Sequence, residues 1–126
     1  MSIITTQGRN LILQKIVNKV EAQDFVLHLY INDYTPKKSS TIFDFQEMPE
    51  DKGYMYRTMW GLFWELNAGK VQAVEEVFIF TGKVGKVRGW FITEGDVVIW
   101  AEKFKEAFDG KRTGDKLKLN FRIGIK

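Results

Sequence analysis

The chain of 126 residues contains no cysteine and a single histidine, His28. Without cysteine, neither a disulfide framework nor a thiolate metal site can form. A structural zinc site needs several histidine or cysteine ligands, so one histidine excludes that class as well. The lack of cysteine suits assembly in a reducing cytoplasm.

The first apolar stretch of the sequence does not have the uninterrupted apolar character of a membrane-spanning helix. Residues 11–20 are interrupted by Gln14, Lys15, Asn18 and Lys19. Such a segment is neither the core of a signal peptide nor a transmembrane helix. A membrane partner is therefore not expected.

Apolar and aromatic residues are present in sufficient number for one core. They make up 44% of the chain, and 14% of it is aromatic. At this length a domain buries roughly two thirds of the surface that its unfolded chain exposes. We expect a single domain over 1–126, with a helix at about 5–21 and a β-sandwich at about 24–126.

The helix is predicted from its apolar spacing. Leu13, Ile16, Val17 and Val20 lie at i, i+3, i+4 and i+7, which lines one face of an α-helix. An amphipathic helix near a chain end could cap its own domain or dock onto a neighbouring subunit.

Alternation of apolar and polar residues predicts strands over most of the rest. The clearest case is 116–126, with five apolar side chains on one face and a basic opposite face. Residues 94–96 (Glu-Gly-Asp) indicate a tight hairpin, and residues 32–41 and 105–115 read as loops. Further strands are predicted at 25–31, 53–59, 62–66, 77–81, 87–93 and 97–104. About eight short strands with dense turns predict a mainly β fold, an antiparallel β-sandwich or jelly roll with one N-terminal helix.

Charge is concentrated at one end of the chain. Residues 103–126 carry eight Lys/Arg against three Asp/Glu, whereas the preceding 102 residues carry eleven against thirteen. The basic end could attract an acidic partner or nucleic acid. It could equally be a solvated strand face on which lysines discourage edge pairing.

No arrangement of polar residues matches a known catalytic motif. His28 could be grouped with Asp24 and with Ser39 or Ser40 as a triad, but no nucleophile-elbow sequence supports this. A packed or half-exposed strand histidine is the expected alternative.

The carboxylates are equally unspecific. Glu94 and Glu102 could nominally form a glycosidase pair, and residues 44–51 are acidic but lack the spacing of a calcium loop. Neither a dinucleotide fingerprint nor a phosphate-binding loop is present. We expect no catalytic residue, no cofactor and no metal, and a protein that is not an enzyme.

Aromatic residues are the remaining functional candidates. Adjacent bulky side chains at 63–64, 90–91 and 99–100 must point to opposite faces of a sheet. One face fills the core, and the other must be covered by a loop, by the helix or by another subunit, because an uncovered aromatic face promotes aggregation. Oligomerisation or docking into an assembly is therefore expected.

Three blocks in the C-terminal half carry a family resemblance. They are residues 89–93 (Gly-Trp-Phe-Ile-Thr), 99–104 (Ile-Trp-Ala-Glu-Lys-Phe) and 114–119 (Gly-Asp-Lys-Leu-Lys-Leu). Together they resemble a family of small structural proteins of tailed bacteriophages. The likeness spans about residues 11–121. Ile99 stands where the family pattern has leucine, and the loop at 105–113 is unusually charged.

The resemblance implies a virion component, assembled in the host cytoplasm. The expected role is a decoration or cement protein that bridges capsid subunits, with the major capsid protein, other virion proteins and further copies of itself as partners. The predicted contacts are Leu13, Ile16, Val17, Val20, Tyr54, Tyr56, Trp60, Lys116, Lys118 and Arg122. The alternative is a tail or fibre module that binds host-surface glycans. Nucleic-acid binding is not expected, because the wet face of the basic strand has no aromatic residue on which bases could stack.

Overall fold

A computed structural model describes residues 2–17, 25–58, 63–65, 70–72, 76–119 and 122–124. Within these ranges the protein is mainly β, with one α-helix and antiparallel strand pairs, as the sequence predicts. In chain order the elements are β1 (Ile3–Ile4), α1 (Thr6–Val17), β2 (Val26–Tyr30), a 3-10 turn (Ile42–Asp44), β3 (Arg57–Thr58), β4 (Phe63–Glu65), β5 (Lys70–Gln72), β6 (Glu76–Ile79), β7 (Gly85–Glu94), β8 (Val97–Gly110), β9 (Lys116–Leu119) and β10 (Arg122–Gly124). The jelly-roll topology stays a prediction.

A five-stranded antiparallel sheet forms the centre, in the order β1-β8-β7-β2-β3. β7 and β8 form the predicted hairpin: Glu94 pairs with Val97, and Gly95 adopts a φ of 58° in the two-residue turn. Glycine suits that turn because a left-handed backbone costs it nothing. We call this five-stranded unit the central sheet.

Both faces of the central sheet are apolar, and the chain itself covers both. The first face carries Leu27, Leu29, Trp90, Ile92 and Trp100, which belong to the main core cluster. The opposite face carries a second cluster, which residues 31–48 complete by folding back over the sheet. Its buried members are Tyr30, Phe45, Phe91, Val98 and Ala101, and Tyr34 and Ile42 pack against them. We call residues 31–48 the covering segment.

Helix α1 is attached to the first residues of β8 through Thr5 and Gly8, at the N-terminal end of the helix. The Thr5 side chain accepts a hydrogen bond from the Gly8 backbone N–H and donates one to the Val98 carbonyl. A Cβ atom on Gly8 would lie 2.4 Å from the Cα atom of Ile99, so only glycine allows this approach. Ile12, one turn further on, is fully buried. The predicted apolar stripe leaves Ile12 out, because the stripe was placed by spacing alone.

Two smaller sheets accompany the central sheet. β6 and β9 pair as a two-stranded ribbon, and β4, β5 and β10 form a three-stranded sheet in the order β10-β5-β4. The inner side chains of the ribbon, among them Phe78 and Leu117, join the main core cluster. Its outer side chains are Val77, Ile79, Lys116 and Lys118.

The strand predicted at 116–126 is observed wherever it is described: β9 pairs with β6 and β10 pairs with β5, and residues 120 and 121 between them lie outside the described residues. Two other expectations about the strands are wrong. The loop predicted at 105–115 begins only after Gly110, because β8 continues beyond a register shift and pairs Phe108 with Val87. The strand predicted at 53–59 shrinks to Arg57–Thr58 within the described residues.

Candidate functional site

A hydrogen-bonded cluster of polar side chains lies where β2 meets the covering segment. The Nδ1 atom of His28 is 2.9 Å from an oxygen of Glu47, and its Nε2 atom is 2.9 Å from the hydroxyl of Thr93. The same Glu47 oxygen accepts a hydrogen bond of 2.7 Å from the hydroxyl of Tyr54. We call His28, Glu47, Tyr54 and Thr93 the histidine cluster.

The strand register brings these residues together. His28 points to the second face of the central sheet, because it alternates with the buried Leu27 and Leu29. Thr93 enters the same face from β7, where it pairs with Val26. Glu47 arrives through the covering segment, which is bridged to β2 between Tyr30 and Glu47.

Aromatic rings enclose the imidazole on both sides. The ring of Phe91 stacks against that of His28, with a centroid distance of 4.6 Å and an interplanar angle of 12°. The ring of Tyr56 lies 5.9 Å away and is exposed at the surface. The His28 side chain is 12% exposed and that of Glu47 35%, so the carboxylate is the part of the cluster that solvent reaches.

Tyr54 links the cluster to the core. Its hydroxyl accepts a hydrogen bond of 3.0 Å from the Leu29 backbone N–H, and its ring lies 5.9 Å from that of Phe78. Burial raises the pKa of the Tyr54 phenol far above its usual range, and the Glu47 carboxylate raises it further, against the lowering effect of the Leu29 hydrogen bond. The hydroxyl therefore stays protonated at neutral pH and is the donor of the hydrogen bond to Glu47.

The order hydroxyl, imidazole and carboxylate is also that of a nucleophilic triad. Thr93, however, is only 3% exposed, so a substrate carbonyl has no access to its oxygen. The cluster joins the covering segment, β2 and β7. The sequence predicted a packed or half-exposed strand histidine, and in the structure His28 is packed, with its side chain 12% exposed.

The triad suggested by the sequence does not form. The Ser40 hydroxyl is bonded to the Tyr34 hydroxyl at 2.6 Å and to the Lys37 backbone N–H at 2.8 Å. Asp24 lies outside the described residues. Glu47 and Thr93, the actual partners of His28, are 19 and 65 residues away in sequence, and no local pattern announces them.

The other carboxylates do not assemble into a site either. Glu102 pairs with Trp90, four residues before Glu94 on β7, so the backbone positions of the two glutamates are roughly 13 Å apart along the strand. Retaining and inverting glycosidases need their pair within about 5 to 9.5 Å. In the part of the chain that the structure describes, no three His, Asp or Glu side chains are close enough to hold a metal ion.

The predicted contact residues are spread over several surfaces. Leu13 is half-buried on α1, and Ile16 and Val17 are helical, whereas Val20 and Trp60 lie outside the described residues. Lys116 and Lys118 are exposed on β9, and Arg122 belongs to β10. Residues 120 and 121, which link β9 to β10, lie outside the described residues.

Of the aromatic residues predicted as contacts, one is exposed and one is buried. Tyr56 is exposed as expected, but the expectation of an exposed aromatic at Tyr54 is wrong, because its ring is 3% exposed and packs in the core. The sequence reasoning missed Phe43, which is 94% exposed on the covering segment. Its neighbours Ile42 and Phe45 pack inward. Phe43 lies between these two apolar residues, and nothing in the sequence indicates that its side chain points to solvent.

Comparison of the chain with protein-family models, with curated proteins and with solved structures finds no match. Among the described residues, no helix combines the length and the apolar character that crossing a membrane requires.

Proposed function

We propose that this protein is a non-enzymatic structural component of a bacteriophage virion, a decoration or cement protein that stabilises the head by bridging capsid subunits. In this role the fold is an antiparallel β-sandwich or jelly roll that presents docking surfaces. Repeated contacts over a shell reinforce one another, because a released contact re-forms before its neighbours dissociate.

The observation that carries the proposal is the structural use of the residues that resemble phage proteins. Trp90, Phe91 and Trp100 are core residues, and Gly89 lets the ring of Tyr30 pack directly on the β7 backbone. The resemblance therefore concerns a scaffold and not a reactive site. The polar groups of the histidine cluster are likewise used in holding the covering segment.

Docking would use the outer surfaces of the molecule. The aromatic faces of β7 and β8 are covered within the chain, so these rings are not available to a capsid partner. The outer face of the ribbon combines the apolar Val77 and Ile79 with Lys116 and Lys118. Such a face suits an apolar surface rimmed by carboxylates.

Capsid shells assembled without this protein provide the test. The purified chain is expected to co-sediment with such shells and to raise their temperature of disruption in calorimetry. The variant K116E/K118E should bind more weakly, while K83E/K86E, at two exposed lysines before and at the start of β7, serves as a control with the same change in net charge. Failure to bind shells, together with its absence from purified virions in mass spectrometry, would refute the proposal.

A glycan-binding module is the second candidate, and one observation favours it. Tyr56 is exposed beside His28, which is also bonded to the solvent-reaching carboxylate of Glu47. An aromatic face next to a carboxylate can stack on a sugar ring and accept hydrogen bonds from its hydroxyl groups.

If the protein binds glycans, substitution of the exposed Tyr56 should abolish binding without unfolding the protein. Binding on a glycan array should disappear in Y56A and persist in F43S, which alters an exposed aromatic elsewhere. A wild-type chain that binds shells and no glycan decides for the cement role, and the reverse result decides for the glycan module.

A further inference from the structure

Phe43 is an exposed aromatic on a rigid support. Hydrogen bonds fix the turn around it: the Thr41 backbone N–H donates to the Asp44 carboxylate at 2.8 Å, and the Asn32 side-chain amide donates to the Asp44 carbonyl at 2.9 Å. The Gln46 backbone N–H in turn donates to the Asn32 side chain at 2.8 Å. A large apolar side chain held outward at low conformational cost is typical of an interface anchor.

Phe43 is located above the middle of the central sheet. Phe45, two residues on, stacks its ring on Phe91 of β7 with a centroid distance of 4.6 Å. β7 is the middle strand of the sheet order. The anchor therefore lies near the centre of the outer surface of the covering segment.

Positive charge lies at one margin of this surface. Lys37 and Lys38 are exposed, and the Lys38 carbonyl accepts a hydrogen bond from the Thr6 backbone N–H at 2.9 Å. Thr5, the preceding residue, is bonded to Ile99 of β8. The two lysines thus belong to the β1–β8 side, and we call them the lysine margin.

Negative charge lies at the opposite margin. The chain leaves the covering segment beside β2, where the Met48 backbone N–H donates to the Leu29 carbonyl, and Glu50 and Asp51 follow, both exposed. β2 and β8 are separated by β7, hence by roughly 10 Å, and the margins lie beyond them on either side. We call Glu50 and Asp51 the acidic margin.

The other charged side chains of the covering segment already have partners. Asp33 is paired with Lys103 at 2.5 Å, Asp44 receives the Thr41 N–H, and Glu47 belongs to the histidine cluster. In the acidic margin, Asp51 accepts a hydrogen bond of 2.8 Å from the Lys52 backbone N–H through one oxygen, and both margins remain exposed to an external partner.

We propose that this surface binds a second copy of the same chain, as a two-fold dimer centred on Phe43. In an isologous contact, residue i meets residue j and j meets i. A two-fold axis in the plane of the contact and along the strands reverses the direction from the lysine margin to the acidic margin. Each lysine margin then faces the partner's acidic margin, and the two Phe43 rings meet at the centre. The inference rests on the proposed function for its setting in a particle, and on these contacts for its geometry.

Sedimentation equilibrium of the full chain tests the dimer. Wild type is expected to show a monomer–dimer equilibrium at micromolar concentration, and F43S should raise the dissociation constant by about tenfold or more. I79S, which removes another exposed apolar side chain on the ribbon, should leave the constant unchanged. Far-UV circular dichroism should report the same folded spectrum for all three proteins, because Phe43 is exposed and Ile79 is half-exposed. Unfolding temperatures are compared at a concentration at which wild type is monomeric, because dimerisation itself raises them.

Charge exchange tests the orientation. K37E/K38E and E50K/D51K should each stay monomeric alone, since every cross-contact then brings like charges together. An equal mixture of the two should form a heterodimer in native mass spectrometry, because all its cross-contacts are opposite in sign. The fourfold variant K37E/K38E/E50K/D51K should dimerise again, with the net charge of wild type.

Two outcomes overturn the inference: a wild-type chain that stays monomeric throughout, or charge variants that dimerise as wild type does. Neither outcome bears on binding to shells, so the dimer and the proposed function fail separately. A dimer that does not bind shells would contradict the function and leave the dimer in place.

Discussion

At the scale of single residues, the close packing of the central sheet depends on glycines that make room for other groups. Gly89 lies between β8 and the ring of Tyr30: a Cβ atom there would be 2.2 Å from the Glu102 carbonyl oxygen and 2.6 Å from the Tyr30 ring. Because the β8 backbone lies on one side and the buried Tyr30 ring on the other, neither neighbour can move away to accommodate a Cβ atom at this position. The glycine that opens the Gly-Trp-Phe-Ile-Thr block is therefore required by packing.

We predict that Gly89→Ala lowers the free energy of unfolding by about 3 kcal/mol, as overpacked core positions do. Gly82→Ala is the matched control, because its added Cβ would meet only the flexible Lys52 side chain. Urea denaturation of the three proteins measures the difference. Equal stability of the two variants would contradict the packing argument.

The Tyr54 hydroxyl supports a second residue-scale prediction. Tyr54→Phe leaves the buried Leu29 N–H and one acceptor site of Glu47 without this partner, so we expect a loss of about 1–3 kcal/mol. Tyr56→Phe removes a hydroxyl from an exposed ring and should change stability by less than about 0.5 kcal/mol. The comparison, again by urea denaturation, separates a hydrogen-bonding role from the mere presence of a phenol.

At the scale of elements, two effects on stability oppose each other at Gly8 of helix α1. Alanine is the better helix former by about 1 kcal/mol, so helix propensity alone predicts that Gly8→Ala stabilises the protein. The approach of Gly8 to the Ile99 backbone predicts the opposite. We expect a net loss, measured as a lower unfolding temperature. Asn10→Ala, at an exposed position of the same helix, should raise this temperature slightly.

The covering segment is attached to β8 by an ion pair that responds to acid. Its hydrogen bond to Lys103 lowers the pKa of Asp33 below the ordinary value of 3.8. A lowered carboxyl pKa adds stability that is fully present above the unfolded pKa and disappears as the pH falls through the folded one. The unfolding temperatures of wild type and Asp33→Asn should therefore differ slightly near neutral pH, and the difference should shrink from about pH 3.8 downward and vanish below the lowered pKa of Asp33. A difference that persists in strong acid would show that the pair is not its source.

The elements also show which parts of the fold a sequence can predict. β2, β7 and the first half of β8 follow from apolar runs bounded by turn residues, and the hairpin turn at Gly95 follows from its residue type. β1, with two residues, is too short to carry a period, and the charged second half of β8 has none. The histidine cluster depends on the register between distant segments, which no local pattern encodes.

At the scale of the whole molecule, the need to cover aromatic faces is met within one chain. The sequence indicated that the central sheet is apolar on both sides, and this follows from adjacent bulky residues such as Trp90 and Phe91. It did not indicate that a polar-looking segment, residues 31–48, supplies the cover. Tyr34, Ile42 and Phe45 are spaced too irregularly there to form a recognisable pattern.

This arrangement predicts an order of protection against hydrogen exchange. β7 is hydrogen-bonded to strands on both sides and is packed on both faces, so its amides should be the slowest to exchange. The ribbon, in which four residues of each strand are paired in the described part of the chain, lacks such packing on both faces and should exchange earlier. Native-state exchange followed by mass spectrometry measures both, and a ribbon that outlasts β7 would contradict this hierarchy.

The hydrogen bonds of Thr5 have a consequence for biosynthesis. The carbonyl to which Thr5 donates belongs to a residue 93 positions later, so the start of the helix cannot attach to β8 until the ribosome has made and released that stretch. A nascent chain halted before Val98 can form the bond between Thr6 and Lys38, but its helix stays without the attachment to β8.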